Sequence, residues 1–414
     1  MGRIGRWWVM LVIMASTIAV PTIGCAASST DPRLDGTAKI DEAALAELAF
    51  ERARLGARWL AGDVRKSGAF YYIYDPAEDA YEEVKYNEVR HAGATYALFQ
   101  VYGATGGEEL LKAGERAIGA IDYQSQAVEG SGRAFVYEDH TKLGGQALAL
   151  VALLERRRVI QDTSYDELIN DLATFLLSME IEEEPGRYYQ SYDVLDGQRL
   201  LEPDSDYYPG EALLALTRLS QHFPEEPYLE AAKRAADYLV RERDGDIPAA
   251  GKVPREDHWL AIALSDLYRL NQDQDYVTVA YLQADTMIEN QYKSGLFRDP
   301  MLIGASRRGP YNVTAPNGEA MVAVWGLAVF LDDKEAIERV STGARRNAQF
   351  QMRVQYTEEN TQDFPRPEWV IWAWGGSPAD PSVRIDYVQH NISGLIGVWH
   401  LTEEGDVPVA EPNT

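Results

Sequence analysis

Four of the six histidines in this 414-residue chain, His91, His140, His258 and His390, stand beside carboxylates, tyrosines or cations. Each lies just ahead of, or inside the start of, a run of small and apolar residues. YNEVRHAGATYAL gathers Tyr86, Asn87, Arg90 and His91, and EDHTKLGGQALAL puts Lys142 two residues after His140. DSDYYPGEALLAL supplies Tyr207, Tyr208 and Glu211, and REDHWLAIAL supplies Asp257, His258 and Trp259. NGEAMVAVWGL carries Glu319, and RIDYVQHNISGL carries Arg384, Asp386, Gln389 and His390. This mixture suits a sugar. Aromatic rings stack on pyranose faces, carboxylates bind hydroxyls and handle protons, and guanidinium or ammonium groups bind uronates or phosphates.

The elements that must position these groups are helical. In AALAELAFERARLGARWL apolar residues recur every three or four positions. A glycine-aromatic cluster, GAFYY, ends that stretch, a second helix begins at NEVRHAG, and GATGG ends the second. The unit recurs from EELLKAGERAIGAIDYQ, YDELINDLATFLLSME, EPYLEAAKRAADYLVRE, DYVTVAYLQADTMIENQ and KEAIERVSTGARRNAQFQ, giving six helical hairpins. The first helix of each is amphipathic. The second is apolar or small nearly all round, so it is expected to be buried. A long internal repeat means a solenoid or a closed ring, and one buried helix per unit suits a ring with those helices inside. Ala92-Gly93-Ala94, Gly144-Gly145, Gly210, Gly318, Ala320 and Gly394 would then let crowded inner helices approach.

On this repeat and on its G-x-x-aromatic loops the chain resembles the (α/α)6 toroid of the six-hairpin glycosidase-like enzymes, over residues 41–403. The resemblance implies an all-α fold with short β-like loops at the mouth. It also implies six inner helices running the same way, their starts sharing one funnel, and hairpins 3 and 6 facing each other. Glu211 and Asp386 would then oppose across the mouth as the acid/base pair of a glycoside hydrolase, with Asp257 as the alternate. This is the first reading of function.

A uronate lyase or epimerase is the second. Its base would be His91, His258 or Tyr208, and Arg90, Lys142 or Asn87 would neutralise the substrate carboxylate. Tyr86, Tyr207, Trp259, Glu319, Arg384, Gln389 and His390 would bind substrate. A glycan-binding surface lipoprotein without catalysis is the third. Plain roles exist for several of these residues: Asp257 as a helix cap, Glu211 and Glu319 as first-turn acids, Arg384 as a partner of Asp386, and His91 as a satisfied core histidine. No two histidines stand at HxH or HxxxH spacing, no cysteine set exists, and there is no GxxxxGK loop, so neither metal nor other cofactor is expected. PDSDYYPGE holds only part of the acidic run a terpene cyclase needs.

The formal charge of −26 argues against nucleic acid and against anionic lipid as partners. Residues 1–24 look like a lipoprotein-type signal: Arg3 and Arg6, an apolar run from Trp7 to Val20, then Cys25, the only cysteine. Cys25 is the expected lipidation site and membrane anchor, which makes the protein an exported one of the cell envelope. Residues 25–40 read as a flexible tether and 404–414 as a tail. The NVT and NIS triplets are taken as chance matches to the glycosylation pattern.

Overall fold

The computed structural model describes Leu34 and residues 41–82, 86–203, 205–251, 254–293, 300–309, 311–377 and 379–403. Twelve helices make six hairpins. The odd-numbered ones are α1 (Glu42–Gly62), α3 (Glu108–Gln124), α5 (Asp166–Ser178), α7 (Tyr228–Asp237), α9 (Gln274–Glu289) and α11 (Lys334–Val354). The even-numbered ones are α2 (Glu88–Thr105), α4 (Leu143–Ile160), α6 (Tyr208–His222), α8 (His258–Asn271), α10 (Thr314–Phe330) and α12 (Ile385–Glu403). A one-turn helix, Ile247–Ala250, sits in the loop before α8.

Burial separates the two sets as the apolar spacing requires. On α1 the buried residues are Leu45, Ala46, Leu48, Ala49, Ala53, Gly56, Ala57, Leu60 and Ala61, one inward stripe, and charged residues occupy the other side. On α4 every residue from Leu143 to Arg156 is buried. The even helices pack side by side in the order α2, α4, α6, α8, α10, α12, and α12 returns to α2, so they form a closed inner ring. Each odd helix leans on the inner helix of the hairpin before it, α3 on α2 and so on round to α1 on α12. The last contact joins the chain's first and last helices. Gly56 makes it possible, because a Cβ there would lie 2.6 Å from the Trp374 ring and 2.8 Å from Ile392.

The loops between outer and inner helices carry all the β-structure. A four-stranded sheet has the order β2 (Ala80–Tyr81), β1 (Ile73–Asp75), β9 (Asp380–Arg384), β8 (Gly375–Ser377). A pair joins β3 (Ser125–Ala127) to β4 (Arg133–Phe135), and three strands join as β5 (His140–Lys142), β6 (Ser191–Asp193), β7 (Gln198–Leu200). Antiparallel bridges at the same point of the repeat, Val64↔Phe70, Glu180↔Tyr188, Gln291↔Ser306 and Gln355↔Trp374, match the Ser125↔Phe135 pair.

These loops hold the latch between hairpins. Gly68, Gly132, Gly186 and Gly304 all have φ between 75° and 93°. A Cβ on any of them would lie 2.0–2.2 Å from a backbone carbonyl of the next outer helix: Arg116, Asp171, Arg234 and Arg346 respectively. Only glycine combines that φ with that contact.

Cys25, the signal residues 1–24, the 404–414 tail and Asp204 lie outside the described residues. Within 25–40 only Leu34 is described, and it is not free. It is buried, and Arg353 Nη1 donates to its carbonyl at 2.6 Å. Among the described residues no helix is long and apolar enough to cross a membrane.

Gly186→Ala should lose about 2 kcal/mol or more of unfolding free energy through left-handed backbone strain and the Arg234 contact. Gly119→Ala, in mid-α3 with nothing near its would-be Cβ, should gain about 0.5–1 kcal/mol. Urea titration checks both. Equal effects at the two sites would remove the latch.

Candidate active site

The starts of the inner helices open onto one cavity of about 570 Å³. Asn87 and Arg90 from α2, Tyr208 and Glu211 from α6, His258 and Trp259 from α8, Asn317 from α10, and Asp386, Tyr387, Gln389 and His390 from α12 line it, with Tyr207 and Arg384 just ahead of their helices. Local reasons set each start. Asn87 caps α2 by accepting from the Val89 and Arg90 amides, Asp257 caps α8 by accepting from Leu260, and Pro209 occupies the first turn of α6.

Glu211 and Asp386 stand on α6 and α12, opposite members of the ring, and their environments differ. Asp386 is held by two guanidiniums: Arg384 Nε donates to Oδ1 at 2.6 Å and Nη2 to Oδ2 at 2.8 Å, while Arg90 Nε donates to Oδ2 at 3.1 Å. Burial pushes its pKa up, but the bonds from Arg384 and the charges of Arg384 and Arg90 outweigh that and hold it below the usual value. Glu211 has no such partner. Burial, and then the charge of Asp257, push its pKa well above the usual value against one bond from Trp259. Its Oε2 has no hydrogen-bond partner among the described residues and lies against Gly144, where a Cβ would come within 2.1 Å.

His258 and His390 meet on the cavity wall, with ring centroids 5.2 Å apart at an interplanar angle of 84°. Trp259 lies 4.8 Å from His258 and 6.1 Å from His390, and Tyr207 lies 5.4 Å from His258. Burial, and then the nearby charge of His390, hold His258 well below the ordinary imidazole pKa, so it is neutral. Its Nε2 is buried with no partner among the described residues. His390 Nδ1 stands 2.6 Å from Glu319 Oε2. Nδ1–H donating to that carboxylate oxygen holds the ring and leaves Nε2 turned away from Glu319. Glu319 thus sits behind His390 as its orienting group rather than on the cavity wall, a correction to its expected substrate-binding place. The ligand atoms of His258, Glu319 and His390 all lie within 4.8 Å of one another, a set that could hold a metal ion.

Four other expected residues stand away from the cavity. His91 points outward between α2 and α3, is buried, and lies edge-on to Phe70. The Phe70 amide donates to Tyr86 Oη at 2.9 Å, so the Tyr86 hydroxyl donates to His91 Nδ1 at 2.8 Å, and Nε2–H donates to the Ala117 carbonyl at 3.1 Å. Burial lowers the His91 pKa to about 4. Tyr86 and His91 are therefore structural. Lys142 turns to the buried Glu88, 3.4 Å away. Asp257 is fully buried beneath the wall, its pKa raised to about 7 by burial against the offset of Arg243, and it is a helix cap. Arg255, Glu256, Arg308 and Asn312 line the cavity without having been singled out. Arg255 and Glu256 directly precede the DHW cluster and were within reach of a wider reading of that start. Nothing in SRRGPYN marks Arg308.

No family model matches the chain, and no curated protein matches it. Solved structures do. A D-mannose isomerase aligns at TM-score 0.61 and 13% identity over 87% of this chain and 99% of its own. A GH76 α-mannanase of Bacteroides thetaiotaomicron aligns at 0.62 and 13%, over 88% and 100%. A cellobiose 2-epimerase of Spirochaeta thermophila aligns at 0.60 and 14%, over 87% and 98%. The fold is thus the (α/α)6 toroid.

Two outcomes follow. His91→Ala leaves the Tyr86 hydroxyl and the Ala117 carbonyl unpaired beside a void, and should cost about 2–4 kcal/mol of stability while ligand binding in the folded protein is unchanged. Weakened binding without lost stability would return His91 to the site. The second is a pH effect. Glu211 and Asp257 have raised folded pKa values, so their contribution is complete below their unfolded values near 4 and is lost as pH rises through the folded ones. The lowered histidines act oppositely, but their effect is complete above about pH 6.5. As pH rises from about 6.5 through the Asp257 value of about 7 and beyond, the melting temperature should fall, and should fall less in Glu211→Gln. Parallel curves would mean that Glu211 is ionised.

Proposed function

We propose that this protein is an exported carbohydrate-active enzyme that moves a proton at a sugar carbon, an epimerase or isomerase, with His258 and His390 as the acid/base pair. One observation carries the reading: two imidazoles meet on the cavity wall, one with a buried nitrogen that has no partner among the described residues, the other held by Glu319. Proton transfer next to a carbonyl needs a positioned group to remove the proton and to return it. Arg90 and Asn87 line the same cavity and could hold the oxygen on which charge develops. The toroid relatives support the class, since two of the three named above are a mannose isomerase and a cellobiose 2-epimerase. Arg3, Arg6, the apolar run and Cys25 support export and a lipid anchor.

Glycoside hydrolysis is the second reading, favoured by the opposed pKa shifts of Glu211 and Asp386 across the cavity. Its weakness is access: both oxygens of Asp386 accept from guanidiniums, and Oε2 of Glu211 is packed on Gly144.

A panel of sugars incubated in D2O and followed by NMR separates the two. Deuterium should enter beside the carbonyl carbon of a substrate. His258→Gln and His390→Gln should each slow this by on the order of 10²–10⁴-fold with melting curves retained. Cleaved glycosides bearing one added water, without exchange, would move the assignment to Glu211 and Asp386. Exchange that survives both histidine variants would sink the proton-transfer reading.

A further inference from the structure

Around Asp386 the cavity holds a second arrangement whose use the imidazole pair does not explain. Two guanidiniums converge on one carboxylate, so the trio of Arg90, Arg384 and Asp386 carries one net positive charge. It is reachable: the side chains of Arg90 and Arg384 are 33% and 23% exposed, while Asp386, at 13%, lies deeper. Each arginine is anchored by bonds that fix its plane. Arg90 Nη1 donates to the Tyr72 hydroxyl at 2.5 Å, and the Arg384 guanidinium lies 4.3 Å over the Tyr387 ring. In all, Arg90, Arg255, Arg308 and Arg384 line the cavity. Of these, Arg255 is paired with Asp206 and Asp244, and Arg308 with Glu256, whereas at the trio two guanidiniums share one carboxylate.

The trio also stands in register with the bases. Asp386 and His390 are four residues apart on α12, so they share a face with Cβ atoms about 6 Å apart. An anion held by the guanidiniums therefore shares the cavity with the imidazoles. A sulfate ester placed there would not help, because it does not acidify a sugar C–H. A carboxylate does so once its charge is neutralised, since it can then accept the electron pair of the breaking bond.

Resting on the proton-transfer reading, we propose that the substrate is a uronate-bearing glycan whose carboxylate sits on Arg90 and Arg384, so that the proton moved is the one on C5. One imidazole takes H5. The electron pair of the C5–H bond passes into the carboxylate, which becomes an enediolate against the guanidiniums. The imidazolium so formed exchanges its proton with solvent and returns one to C5 as the enediolate collapses to the carboxylate, and nothing else is consumed.

Oligomers of glucuronate, galacturonate and mannuronate, with their neutral hexose counterparts, would be incubated with the protein in D2O and read by NMR, and the same ligands titrated calorimetrically. Deuterium at C5 of a uronate is the expected result, with Arg384→Gln weakening uronate binding by about tenfold or more while neutral oligosaccharide binding changes little. A variant that had lost its fold would lose both ligands, and Arg384→Lys, which keeps the charge but not the fork, should recover part of the uronate affinity. Exchange at C2 of neutral sugars with none at uronate C5 would overturn the uronate proposal and leave the proton-transfer reading standing. Saturable uronate binding that needs Arg384, without exchange anywhere, would establish the carboxylate seat and overturn the C5 step. Absence of uronate binding would overturn the proposal outright.

Discussion

Six helices that run the same way around one bore crowd each other most at their starts. A Cβ on Gly93 of α2 would come within 2.7 Å of Gln389 Oε1 on α12, one on Gly144 of α4 within 2.1 Å of Glu211 Oε2 on α6, and one on Gly210 of α6 within 2.8 Å of Asp257 Oδ2 beside α8. The small residues do more than let backbones approach. The space they give up is filled by polar side chains of the neighbouring inner helix. Close packing normally excludes buried polar groups, because each needs partners in a medium that does not solvate it. Here the glycines admit them, and the mouth of the ring becomes a polar floor on an apolar wall.

The parallel arrangement has an electrostatic consequence. Six helix starts present unpaired amides and partial positive charge to one funnel. Some carboxyl and amide groups are spent directly on those amides, as Asn87 and Asp257 are. Others titrate according to what else reaches them. Asp386 is stabilised as a carboxylate because two guanidiniums arrive from α2 and β9, whereas burial without a cation raises the pKa of Glu211. One ring of equivalent positions therefore holds a lowered acid, a raised acid and, in His258, a lowered imidazole.

How much of this the sequence discloses differs by level. The six hairpins, the inner and outer roles of their helices and the place of the funnel were legible, because 3.6-residue periodicity and glycine-aromatic loops report directly on packing. The glycine-aromatic loops at Gly68, Gly132 and Gly186 were legible for a reason not apparent in one dimension, their latch on the next outer helix, and Gly304, followed by Ala-Ser-Arg, makes the same latch without the pattern. The facing of side chains within a helix start was not legible. Arg90 and His91 are adjacent, so about 100° of helical rotation separates them. One enters the cavity and the other turns to Ala117. Which of the two goes inward depends on the rotation of α2, and α2 is buried all round, so its apolar pattern carries no phase. Glu319 failed for a similar reason: its depth along α10 places it behind His390. Lys142 was drawn away by Glu88, a partner fifty-four residues earlier that no local pattern announces.

Closure of the ring connects the stability of the fold to the assembly of the site. Cavity residues come from all six inner helices, and the tightest group draws on both ends of the chain. Arg90 belongs to the first inner helix and Asp386 to the last, 296 residues on. His258 and His390 are likewise brought together across hairpins 4 and 6, with Glu319 from hairpin 5 completing the set. No single hairpin contains a working fragment of the site. It exists only when α12 packs on α2 and α1 closes over α12 through Gly56, Trp374 and Ile392. Such long-range contacts cost the entropy of closing the chain. In the finished ring they are also the contacts that hold the half-buried guanidiniums and the imidazoles in place. The closure that costs most entropy is the one that positions the site.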